Sequence, residues 1–327
     1  MSNLAMMMGL SSSAGGVDVA DVFSTDLYTG NASTQDIVNG LDLSTEGGMV
    51  WFARRNGAEE KNIFNTYAPN KYHRTTTTAA QEDITTGITA YNTDGFSLGG
   101  WNNVNGSGDT MVSWSWRQAS KWFDIVEYTG TGAAQTISHS LGSEVGMLFI
   151  KQTSNGLTDW SVYHRSLGGT KNLRLDDTRA ETTNIGYFND TDATSTEFTV
   201  GYLGDFNGSG STYIAYVFAH NESLIQCGSY TGNGSTTGPE IDLGWQPQWV
   251  MIKNTSTSAD WYVLDAERGL NGDAIDDPYL RTNLTTGESS TNILKLTATG
   301  FQLNSAGLTG VNRNGDNYIY MAIKAED

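Results

Sequence analysis

A chain of 327 residues with 38 Gly, 4 Pro and a single Cys has room for two or three ordinary domains but few stretches suited to a helix. Its formal charge of −18, from 18 Lys+Arg against 36 Asp+Glu, gives a field of the wrong sign for phosphate, so nucleic acid is not an expected partner. The lone Cys227 cannot form an intrachain disulfide, and no run approaches the ~18 apolar residues of a membrane helix, so no membrane insertion is expected.

The chain starts with MSNLAMMMGL, which lacks a basic n-region and has too short an apolar stretch for a secretion signal, pointing to synthesis and folding in a cytoplasm. Residues 1–19 are rich in Met, Gly and Ser and read as an extension or docking peptide outside the folded body. Beyond them Thr, Val, Ile, Tyr and Trp are abundant, which suits pleated sheet.

From residue 20 onward one unit occurs three times. Tyr-Thr-Gly recurs at Tyr28, Tyr128 and Tyr230, and a Phe strand at Phe96, Phe198 and Phe301. A basic residue closing an apolar strand recurs as Arg54, Lys151 and Lys253, and a terminal strand as MVSWSW, YIAYVF and YIYMAI. A period near 100 residues is too long for a solenoid and matches a whole domain, each expected to own its core. The divisions are 20–120, 121–222 and 223–327, joined by short segments that leave a rod or a compact cluster.

Within a copy, about seven strand signals alternate with Gly/Asn/Asp/Ser turns, so the expected fold is all-β, three tandem β-sandwiches of jelly-roll or immunoglobulin-like type. In copy two a further short strand is expected around 185–188. The continuously apolar runs at 148–150 and 250–252 should be central strands covered on both faces, and Cys227 a small core residue.

The turn before each terminal strand reads NGSGD, NGSGS and NRNGD. Asn105, Asp109, Asn312 and Asp316 could supply calcium ligands there, but Asn-Gly and Ser-Gly also serve hairpins that need positive φ. Arg74, Arg174 and Arg281 recur at comparable places and suit a bidentate hold on a carboxylate, whether of a ligand or of the protein itself. Trp101 and Tyr202 lie in Gly-rich loops after the Phe strands, either as stacking surfaces for a sugar ring or as lids on their own cores. Asp159-Trp160 and Asp260-Trp261 bring acids beside aromatics, as glycoside hydrolysis would need, yet their equivalent placement fits a strand start. The four His have no zinc spacing, and no P-loop, GxSxG or dinucleotide fingerprint occurs, so no cofactor and no enzyme are expected.

The segments IVNGLDLSTEGGMVWFARRNG (37–57), NTDGFSLGGWNNVNGSGDTMVSWSW (92–116) and YTGNGSTTGPEIDLGWQPQWVMIK (230–253) resemble a repeated domain of virion structural proteins in marine and cyanobacterial tailed bacteriophages. The likeness runs from about residue 20 to residue 327, except that copy one has NIFNTY where the others carry Asp-Trp. These are turn and core motifs, so the resemblance carries over no site residue. It implies a virion protein assembled in the host cytoplasm. As a tail-associated appendage, fibre or adhesin it would display loops to the host surface, with other virion proteins and a host surface glycan as partners, and it would form a homo-oligomer. A capsid decoration (head-fibre or cement) protein is the alternative, and a carbohydrate-active enzyme the third reading.

Overall fold

The computed structural model describes residues 17–154, 156–273 and 275–326, and residues 1–16 of the expected docking peptide lie outside them. The chain is nearly all β. Copy one comprises β1 (Phe23–Thr29), β2 (Gln35–Val38), β3 (Gly48–Arg54), β4 (Asn62–Asn65), β5 (Lys71–Arg74), β6 (Glu82–Asp83), β7 (Ile88–Asn92), β8 (Gly95–Leu98) and β9 (Thr110–Arg117). Copy two comprises β10 (Phe123–Thr129), β11 (Gln135–Ser138), β12 (Val145–Gln152), β13 (Ser161–His164), β14 (Lys171–Arg174), β15 (Thr182–Thr183), β16 (Glu197–Val200) and β17 (Thr212–Ala219). Copy three comprises β18 (Ile225–Thr231), β19 (Glu240–Asp242), β20 (Pro247–Asn254), β21 (Trp261–Asp265), β22 (Asp277–Arg281), β23 (Ser289–Thr291), β24 (Leu294–Thr297), β25 (Gly300–Leu303) and β26 (Asn317–Lys324).

One antiparallel order recurs: β1-β9-β3-β4-β5-β6, β10-β17-β12-β13-β14-β15 and β18-β26-β20-β21-β22-β23. A smaller sheet covers one face of each, namely β2-β8-β7, β11-β16 and β19-β25-β24. Among the described residues copy two has no third strand in its small sheet, and the strand expected at 185–188 is a turn. Tyr187 of that turn stacks on Phe206 and Phe188 packs tilted against it, at 5.6 Å each, so burial of two rings replaces strand pairing.

The large sheets are buried on both faces, which is why β3, β12 and β20 read as unbroken apolar runs. In β3, Val50 and Phe52 point into the sandwich with Ile37, Phe64 and Phe96, while Met49, Trp51 and Ala53 point the other way. In β20, Val250 and Ile252 likewise face the small sheet, and Trp249 and Met251 face away. Those second faces meet. Trp51, Trp114 and Trp116 of copy one, Phe149 and Phe218 of copy two and Trp249 of copy three interlock edge to face at 5.0–6.4 Å. The expectation that each copy owns its core therefore captures only the inner layers of copies one and three, because one core joins all three copies and takes in the inner layer of copy two.

The start of the chain takes part in that core. Asp18 caps a single 3-10 turn (Val19–Asp21), Val19 and Val22 are buried, and Val17 packs against the same cluster. The extension expected to reach residue 19 thus gives way to core at Val17. Tyr-Thr-Gly proves structural in all copies: the hydroxyls of Tyr28, Tyr128 and Tyr230 donate to the carbonyls of Val104, Phe206 and Val311 at 2.5–2.6 Å. Its glycine is required, since a Cβ on Gly30 or Gly130 would lie 2.2–2.3 Å from the carbonyl oxygen of Gly106 or Gly208.

Candidate functional site

Buried polar groups fasten the junctions between copies, where three sets of contacts run in a circle. The first set uses a buried ammonium. Lys151 Nζ donates to the carbonyls of Thr158 and, in copy one, Thr78, while Lys253 Nζ donates to those of Ala259 and, in copy two, Thr178. Strand register corrects the equivalence of Arg54 with these lysines, because Ala53, Lys151 and Lys253 are the residues opposite Val112, Ile214 and Ile319. Copy one moves the cation: across the ladder, Lys61 stands where Trp160 and Trp261 stand, and its Nζ donates to the carbonyls of Glu59 and, in copy three, Thr285 and Thr286. The missing Asp-Trp of copy one is thus a shift of the cation to the neighbouring strand, with Ala53 in the lysine's place and the ammonium delivered to the same place.

A second set uses the residue closing the fourth strand. Asn65 donates to the Tyr216 hydroxyl at 2.9 Å, His164 lies 3.1 Å from the Tyr320 carbonyl, and Asp265 accepts from the Trp114 indole at 2.8 Å. The third set uses the indoles of Trp160 and Trp261, which donate to the backbone carbonyls of Arg74 and Arg174 at 2.8 and 2.7 Å. Between copies one and three, Thr75 Oγ1 donates to the Thr282 carbonyl at 2.8 Å, and Arg55 holds Glu288 with two bonds of 2.9 and 3.0 Å. Copy two reaches one, three reaches two, and one reaches three, so the three copies close a pseudo-threefold ring.

Burial sets the ionisation of these groups. Desolvation pulls Lys61, Lys151 and Lys253 down to about 8, against the opposing pull of nearby carboxylates such as Glu59, Asp176 and Asp177. Folded chains therefore release these three protons from about pH 8, whereas unfolded chains keep them to about 10.5. In that window the unfolded state binds more protons, so stability rises with pH. Thermal unfolding of the whole chain is expected to show Tm climbing from pH 8 to 10, and Lys253→Met should lessen the climb by about a third, one of three such groups being removed; a fall over the same range in the parent chain would contradict it. Burial likewise pushes His73 and His164 down to about 3, leaving both neutral, and pushes the Cys227 thiol up, as befits a core residue beside Gly146.

The three recurring arginines hold the protein's own carboxylates. Arg74 binds Glu82 and sits 5.2 Å over the Tyr72 ring, Arg174 binds Asp159, and Arg281 lies 3.5 Å from Asp260 and over Tyr279. Asp159 and Asp260 are thereby engaged as structural partners, and Trp160 and Trp261 are fully buried. The residues named as calcium candidates are turned toward protein partners. Asn105 and Asn312 are buried, donate to Ser33, Gly99, Ser235 and Ser305 carbonyls, and accept from the backbone of Asn31 and Asn233. Asp109 pairs with Arg54 at 2.6 Å, and Asp316 accepts from Asn254 and Thr257. Among the described residues no group of three or more His, Cys, Asp or Glu could hold a metal ion, and no helix is long and apolar enough to cross a membrane.

Trp101 and Tyr202 are not counterparts. Trp101 heads α1 (Asn102–Asn105) and Leu203 heads α2 (Gly204–Asn207), so Leu203 is the equivalent of Trp101. Trp101 is a lid, 4.6 Å from the Tyr72 ring and 6.0 Å from Phe64. Tyr202 is 53% exposed, and its ring carbon Cζ lies 3.1 Å from where a Cβ on Gly186 would be, beside the exposed Ile185. The junction residues Lys61, Asn65, His164, Asp265, Arg268 and Glu288 are not legible in the sequence; the one signal for any of them is a polar residue closing the fourth strand after two or more apolar ones in every copy.

A family model described as a domain of unknown function (DUF7483) matches residues 18–327, spanning all three copies as one unit. No protein of curated function matches the sequence.

Proposed function

The chain belongs to that family, and we propose that it is a non-catalytic structural protein of a tailed-phage particle, a tail-associated appendage or adhesin presenting sandwich-end loops to a host surface. One observation carries this reading: the chemically promising side chains are spent on fastening the fold and its copies together, with Arg74, Arg174, Asp159 and Asp260 in ion pairs and Lys61, Lys151 and Lys253 on backbone carbonyls. Such fastening favours a rigid display body over a catalyst, which needs groups left open to a substrate. The sequence likeness to phage virion proteins supports the particle context, and the exposed Tyr202 loop supports a contact surface.

Purified chain should bind host cells and compete with particle adsorption, and Tyr202→Ala should weaken that competition about tenfold while leaving Tm unchanged. Trp101→Ala should instead lower stability, because it uncovers Tyr72 and Phe64. Antibody labelling of intact particles tests the location: on the order of tens of copies fits a tail position and hundreds fit capsid decoration. Absence of the chain from purified particles would sink both.

A further inference from the structure

Among the differences between the junctions, one bears on a cleft. Between copies three and one, Arg55 and Glu288 meet as a two-bond ion pair, and the Glu288 backbone N–H donates to the Arg55 carbonyl at 2.8 Å. Between copies two and three the same backbone bond joins Glu181 to Thr255 at 3.0 Å, but threonine replaces the arginine. Both junctions hold a cleft, but the one of about 390 Å³ at the first is lined by Arg55, Glu288 and Arg281, which are committed to ion pairs. A cleft of about 380 Å³ lies between copies two and three, walled by Ser166, Glu181, Ser229, Thr231, Thr255 and Asn317, with Leu167 and Ile319 beside them.

Its polar atoms are only partly used. Glu181 Oε1 accepts from Lys171 at 2.5 Å, and Asn317 Oδ1 accepts from Thr231 at 2.9 Å. Glu181 Oε2, Asn317 Nδ2 and the hydroxyls of Ser166 and Ser229 take no bond from the described residues. The corresponding cleft of copy two is smaller, about 300 Å³, and there Thr153 and Thr212 satisfy each other at 2.7 Å.

We propose that the cleft between copies two and three binds a neutral saccharide. A carboxylate oxygen, an amide N–H and two hydroxyls on residues lining one cleft, with Leu167 and Ile319 among them, match the mixed donors and acceptors of sugar hydroxyls. Lys171 balances Glu181, which disfavours a cationic ligand, and the acidic surface disfavours an anionic one. The inference rests on the host-surface reading only for its biological use; binding itself can be tested alone.

The test is titration of the intact chain with neutral hexoses, N-acetylhexosamines and their disaccharides, read by saturation-transfer NMR. The native chain should saturate with at least one of them. Thr255→Arg, which recreates the Arg55–Glu288 pair, and Asn317→Asp, which removes the amide donor, should each weaken binding at least about tenfold with Tm within about one degree. Silence of the native chain toward the whole panel, or equal binding by both variants, would overturn the assignment. Saccharide binding lost in Thr255→Arg while particle adsorption persists would refute the adhesive use and leave the site standing.

Discussion

Residues 121–222, excised as a single copy, should fail to give a folded soluble monomer, whereas the whole chain should unfold in one cooperative transition. The reason is the second face of the large sheet. In copy two that face carries Met147, Phe149, Val162, Leu173, Ile214, Tyr216 and Phe218, all buried in the core shared with the other copies. Re-exposing a large apolar side chain costs about 1.5–3 kcal/mol, and a domain has only about 5–15 kcal/mol in hand. Seven such side chains exhaust that margin before Lys151 and His164 lose their partners in the neighbouring copies. Circular dichroism and two-dimensional NMR of the fragment, beside calorimetry of the whole chain, decide the matter. A folded, monomeric fragment or three separable transitions would show the copies to be independent domains.

The period, the all-β class and the central strands are legible in the sequence because they depend on local alternation and turn chemistry. The apolar runs Leu148-Phe149-Ile150 of β12 and Val250-Met251-Ile252 of β20 have no polar alternation, which a strand covered on both faces requires. What covers the second face is not legible, since the residues fastening one copy to the next are different in each. Asn65, His164 and Asp265 share a position and a task but no chemistry beyond polarity. Lys61 performs from one strand what Lys151 performs from its neighbour, so matching by residue type settles on Arg54, one position past the true register. The same kind of slip pairs Trp101 with Tyr202, which stand one residue apart in the loop and differ in exposure. Arg74, Arg174 and Arg281 do align, each lying in the same register, yet spacing alone cannot say whether their carboxylate partner is a ligand or the protein.

Asp265→Ala should be the most damaging single substitution at the ring closure, lowering stability by about 3–5 kcal/mol and Tm by roughly 5–10 °C. Asp265 and Arg268 are both fully buried and bond at 2.7 Å, and Asp265 also accepts from the Trp114 indole of copy one. Arg268 further donates to the Val263 carbonyl at 2.9 Å, approaches Glu288 at 3.4 Å and lies 5.4 Å from the Trp114 ring centroid. Removing the carboxylate leaves the indole N–H without its acceptor and the buried guanidinium with only the Val263 carbonyl and the long 3.4 Å bond to Glu288, which Arg55 already engages. The double variant Asp265→Ala, Arg268→Met removes both charges and should recover a large part of the loss, since the cost lies in the orphaned cation more than in the missing pair. Equal Tm for the single and double variants would mean that the damage comes from lost packing at Trp114, and the ring closure would then rest on its apolar core alone.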